Sequence, residues 1–117
     1  MRAFAKLVSK NVFRANSGQR AKIHLASVFA CNFTNALIGM ADDFLKEDGL
    51  DYKMLMPLLM QTFNKLQETD PHTGQTGPAI RKDFSVMDKH LEMLEGKPDF
   101  AEIYKLISEY IIKNASK

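Results

Sequence analysis

Between Ser17 and Lys46 the chain reads SGQRAKIHLASVFACNFTNALIGMADDFLK, a stretch without proline and, from Leu25 to Leu45, apolar on nearly every side. An amphipathic surface helix shows one apolar stripe, so a helix that is apolar all round must be covered by other helices. The pattern therefore predicts one long central helix with the rest of the chain packed about it. Ser17 is placed to cap its first turn, and Gly49, just beyond Lys46, to close it in a left-handed conformation. The polar exceptions on this rod are His24, Ser27, Asn32, Thr34 and Asn35. At about 100° per residue, His24, Val28, Asn32, Asn35 and Gly39 fall within roughly a quarter of the circumference. Such a stripe is buried or faces a cleft. Buried amides and imidazoles demand hydrogen-bond partners, so the bland reading is that they tie neighbouring helices together. The sharper one is that they line a pocket, with His24 exchanging a proton near neutral pH and the Asn amides holding a polar substrate.

A chain of 117 residues, 45% hydrophobic and 26% charged, has the size and composition of one soluble domain. Its net charge of +2, with basic residues scattered among acidic ones, leaves no electrostatic footprint for nucleic acid or an anionic membrane. The single cysteine, Cys31, excludes an internal disulfide and favours a reducing, cytoplasmic setting, with the thiol as a small core residue. The interruptions at Asn32, Asn35 and Gly39 argue against a membrane span.

Taken in order, Phe4, Leu7 and Val8 lie on one face of a short helix between Arg2 and Lys10, and Val12-Phe13 favour an extended piece leading to the Asn16-Ser17-Gly18 turn. Beyond Gly49, apolar residues at Tyr52, Leu55, Leu59, Phe63 and Leu66 predict a second long helix, kinked or restarted at Pro57. Met54, Met56 and Met60 read as adaptable core or interface filling. Glu68 to Pro78 is the one long unpatterned stretch, rich in Gly, Pro, Thr and Asp, and so a loop. Thr76-Gly77-Pro78-Ala79-Ile80-Arg81 reads as a loop running into a helix with proline at its first position, whose N–H groups suit an anion or a polarised carbonyl, Arg81 adding a bidentate donor. Ser85 to Asp88 has the form of a capping box for a helix ending at Gly96, with Met87, Leu91 and Leu94 inward and His90 structural. Pro98-Asp99 open a last amphipathic helix carrying Phe100, Ile103, Tyr104, Ile107, Tyr110 and Ile111. No phosphate loop, G-x-G-x-x-G turn, zinc spacing or nucleophile elbow occurs anywhere.

HLASVFACNFTNAL (His24 to Leu37), QTGPAIRKD (Gln75 to Asp83) and KHLEML (Lys89 to Leu94) together resemble the C-terminal helical domain, of unknown function, of bacterial NADP oxidoreductases with an N-terminal Rossmann-like domain. The resemblance covers essentially the whole chain. Those proteins are similar in architecture to pyrroline-5-carboxylate reductase and to 6-phosphogluconate dehydrogenase-like enzymes. It implies an all-α helical bundle built around one long central helix, like the 6-phosphogluconate dehydrogenase C-terminal domain. Residues 1–16 look like the last helix and strand of a Rossmann-like domain, and 17–117 like a helical substrate-binding and dimerisation domain.

The same resemblance implies catalysis in a cleft between nucleotide domain and helical domain. Carried over, it marks His24 and Asn32 as catalytic and Asn35, Thr76, Gly77 and Arg81 as the substrate set. His24 would donate a proton or anchor substrate, the Asn pair would orient it, and Arg81 with the Gly77 N–H would clamp an anion or carbonyl. NADP is expected only in the full-length protein, since the pyrophosphate-binding turn is absent, and the isolated chain is not expected to turn over. The expected partners are a second copy of the chain, the Rossmann-like domain and a small-molecule substrate, with no nucleic acid, membrane or metal. The alternative is a stand-alone helical interaction or dimerisation module without catalysis. A DNA-binding bundle is a distant third.

Overall fold

A computed structural model describes residues 15–115, so the short helix and extended piece expected before Ala15, and most of the expected 1–16 remnant, lie outside the described residues. The fold is all-α, and no strand occurs among the described residues. The chain divides into two compact units, Met1–Tyr52 and Lys53–Lys117.

The first unit is dominated by one helix, α1, Ser17–Lys46. Its cap is Asn16, not Ser17: the Asn16 side chain accepts from the Gln19 N–H at 2.8 Å while the Gln19 side chain accepts from the Asn16 N–H at 3.0 Å, a reciprocal capping box. Midway, Val28–Asn32 forms a π-helical turn, and the Phe33 N–H reaches back to the Val28 carbonyl, five residues away. Hydroxyls that fold back on their own helix flank this turn. Ser27 Oγ donates to the Ile23 carbonyl and Thr34 Oγ1 to the Ala30 carbonyl, each at 2.7 Å. The helix closes as expected at Gly49, whose φ of 76° is left-handed, with the Leu50 N–H returned to the Leu45 carbonyl at 3.0 Å.

The expectation that this helix is enclosed by the rest of the chain is not met. Leu25, Phe29, Phe33 and Leu37 are 58%, 62%, 48% and 41% exposed, and only positions such as Ile23, Val28, Ile38, Ala41 and Leu45 are half-covered. The all-round apolar character is real, but one chain lacks the helices to cover every face. By length and composition alone α1 also meets the requirement for a membrane span, with a mean hydropathy of 1.3 in its most apolar window.

In the second unit, after a 3-10 turn at Tyr52–Leu55 that bridges the division, α2 (Met56–Leu66) carries Pro57 in its first turn, where a missing N–H costs nothing. α3 (Phe84–Met93) and α4 (Pro98–Lys113) follow. Ala79 and Met87 are the buried hydrophobic residues among those described. Leu91, Leu94, Phe100, Ile103 and Ile111 are half-buried on the expected seams, whereas Ile107 and Tyr110 are exposed. His90 Nδ1 and the Tyr104 hydroxyl, 2.8 Å apart, tie α3 to α4.

Candidate functional site

The polar residues singled out on α1 are not buried. His24, Asn32 and Asn35 are all exposed, and none makes a side-chain hydrogen bond with another described residue. Reading them as hydrogen-bonded core residues therefore fails: an exposed amide or imidazole has water, and its donors and acceptors stay available to a ligand. Asn32 stands at the end of the π turn, a feature often found at functional sites because the widened turn re-aims side chains. The apolar neighbours are arranged by the same turn. Leu25, Phe29, Phe33 and Leu37 recur every fourth residue, which on a regular α-helix drifts about 40° per step, or about 120° overall. The extra residue of a π turn takes back about 100°, so the four stay in one stripe. Phe29 and Phe33 meet edge to face at 5.1 Å within it. Cys31, expected in a core, is an exposed free thiol.

The other candidates lie in the second unit, on a stretch more ordered than its composition suggests. Asp70 Oδ1 accepts from the His72 N–H at 2.8 Å and the Thr73 N–H at 3.4 Å, and the Gly74 N–H returns to the Asp70 carbonyl at 2.8 Å. The Lys65 ammonium donates to the Gly74 carbonyl at 3.3 Å, pinning the loop to the end of α2. The expected helix beginning at Pro78 does not form. Residues 78–82 make a turn instead, closed by the Asp83 N–H on the Pro78 carbonyl at 2.9 Å, with Lys82 left-handed at φ 54° and Gly77 at φ 103°. With no helix dipole behind Gly77 and Arg81, the turn lacks the aligned N–H groups that the expected anion clamp needed. The turn suits its residues: Gly77 enters a conformation that side chains resist, and buried Ala79 anchors the middle. The cap of the following helix is Asp83, whose carboxylate accepts from the Val86 N–H at 3.3 Å, so Ser85 to Asp88 is not the capping box expected. Arg81 is exposed.

Beside this turn, α2 and residues 69–76 enclose an open groove of about 510 Å³ lined by Leu58, Gln61, Lys65, Asp70, Gln75 and Thr76 among others. Thr76 is thus the one expected site residue that lines it. Gln61 and Lys65 escaped the sequence reading, although they share one face of a helix that runs straight into the loop.

Three titrating groups are perturbed among the described residues. The Lys46 ammonium, 2.8 Å from Asp42, and next the Tyr52 N–H at 2.9 Å hold the Asp42 carboxyl below the ordinary aspartate value; the same pairing raises Lys46. Burial raises the Tyr104 phenol. Among the described residues no three His, Cys, Asp or Glu side chains gather as metal ligands.

No curated protein matches the sequence. A solved structure does: that of a putative NADP oxidoreductase from Bacteroides fragilis, 43% identical, with a TM-score of 0.82 over 85% of this chain. The chain spans 38% of that protein's length, and its fold is that of a helical domain of such proteins. A family model described as "Domain of unknown function (DUF2520)" matches residues 1–111, and the chain belongs to that family.

Proposed function

We propose that this chain is the substrate-binding and dimerisation domain of an NADP-dependent oxidoreductase, working with a Rossmann-like domain that holds the nucleotide. The observation that carries this reading is the 43% identity to the Bacteroides fragilis protein, of whose length the chain matches little more than a third. NADP belongs to the full-length protein, and the setting is cytoplasmic. The exposed, unpartnered His24 and Asn32 are available to a substrate brought to α1 from outside this unit, His24 as proton donor or anchor and Asn32 as orienting amide. Asn35, Thr76, Gly77 and Arg81 are assigned to substrate contacts. The apolar stripe on α1 supports a second copy of the chain as its cover. It equally supports a stand-alone interaction module without catalysis, and turnover separates the two. In the full-length protein, His24→Gln is expected to keep the fold yet lower NADPH-dependent turnover by roughly 10²–10⁴-fold, the usual loss when a proton donor is removed. An unchanged rate removes His24 from the chemistry, and a full-length protein that oxidises no NADPH with any substrate leaves the interaction module.

A further inference from the structure

The groove beside α2 is built from two parts of the second unit. One wall is a single helical face, with Leu58, Gln61, Thr62, Lys65 and Leu66 spaced by three and four residues and Thr69 just beyond the helix end. The other is the loop from Asp70 to Thr76, folded back against that face. The fold-back is specific. A Cβ on Gly74 would stand 3.3 Å from the Asp70 carbonyl oxygen and 3.4 Å from Lys65 Cε, so glycine allows the loop to close on the lysine stem. Leu58, Leu66 and Pro71 supply apolar surface. The volume, about 510 Å³, falls within the roughly 300–1,000 Å³ of small-molecule sites.

The polar groups decide the ligand. Lys65 spends one N–H on the Gly74 carbonyl, which leaves donors for an anion. The Gln75 side-chain N–H donates to the Thr76 carbonyl at 2.9 Å, which leaves its amide oxygen to accept. Thr62 is spoken for, its hydroxyl donating to the Leu58 carbonyl at 3.0 Å. Asp70 also lines the groove, its Oδ1 engaged by two loop N–H groups. One cation facing one partly neutralised anion suits a monoanion and disfavours a doubly charged phosphate, which Asp70 would repel.

We propose that this groove binds a small monocarboxylate with an apolar body, the carboxylate on Lys65, the amides of Gln61 and Gln75 at the rim, and the body against Leu58, Leu66 and Pro71. Because Thr76 belongs both to the groove and to the substrate set above, the proposal names the class of that substrate and to that extent rests on the oxidoreductase reading.

Titrating the ¹⁵N-labelled chain with hexanoate, with no nucleotide present, tests the groove alone. The expected result is saturable shifts of backbone amides between Thr69 and Thr76. Hexanamide, with the same body and no charge, binds at least about tenfold more weakly, and inorganic phosphate produces no saturable shift. Lys65→Met loses about tenfold in hexanoate affinity and Lys65→Arg restores it. Absence of saturation, equal binding of hexanamide, competition by phosphate, or a Lys65→Met chain that binds as well as the parent each overturns the proposal. Carboxylate binding by this chain, combined with a full-length protein that oxidises no NADPH, retains the groove and sinks the oxidoreductase reading. Turnover of carboxylates by the full-length protein that Lys65→Met leaves unchanged does the reverse.

Discussion

Asp42 shows how much a single half-buried carboxylate organises locally. It accepts from Lys46 one turn along α1 and from the Tyr52 N–H beyond the helix end, so it joins α1 to the start of the next segment. Its folded-state pKa lies below the unfolded value, so its contribution is present above about pH 4 and is lost as the pH falls through the folded value. Asp42→Asn keeps an acceptor for Tyr52 but removes the charge. The melting temperature of the parent is therefore expected to exceed that of the variant at pH 6, with the gap closing below about pH 4; a gap independent of pH contradicts the assignment. Tyr104 works differently, since its half-buried phenol fills its hydrogen bond with His90 at 2.8 Å. Tyr104→Phe is expected to cost about 1 kcal/mol in chemical denaturation, the usual value of such a bond when its partner is left behind. The sequence marks His90 as structural, but nothing local in it names the partner, fourteen residues away on another helix.

At the scale of elements, helix positions were legible and their ends less so. Gly49 and Pro98 punctuate where expected, and Pro57 falls in a first turn. Two caps moved, to Asn16 and Asp83, because several residues near each helix start can cap and the backbone chooses among them. The π turn left no sequence signature, since Val28 to Asn32 fits an α-helix equally well. Its consequence is testable. Deleting Cys31 removes the extra residue and returns the segment to regular α-helix while Leu25 and Phe29 stay aligned with Phe33 and Leu37, since four residues through the π turn advance about as far as three on an α-helix. Circular dichroism is expected to show unchanged helix content, and self-association measured by sedimentation to be kept. Association lost with the helix content intact contradicts this account of the stripe.

At the scale of the whole molecule, four large apolar side chains exposed on one stripe of α1 are more than scattered surface residues, and stripes of this kind mark interfaces. Light scattering is expected to give twice the 13.3 kDa chain mass, and Phe33→Glu, which places a charge in the middle of the stripe, a single mass. A parent that stays monomeric at high micromolar concentration excludes the dimer. The apolar surface such a contact removes from water is worth about 25 cal/mol per Å², before the costs of association.

Local spacing and the residues that start or stop a helix determined one dominant apolar helix, a glycine-proline loop before Asp83 and a closing amphipathic helix, and the resemblance carried by three segments of the chain added the all-α class. The sequence also showed that α1 is apolar on nearly every side, though not that the rest of the chain would leave it exposed. Which faces this chain covers, whether Gly77 to Arg81 forms a helix or a turn, and where Lys65 meets Gly74 depend on contacts between segments distant in sequence and on backbone geometry that composition does not encode. Only the tertiary structure decided those. The residues around Asn32 show the division most plainly: their polarity was legible, but their exposure was not, since burial belongs to neighbours rather than to the residue itself.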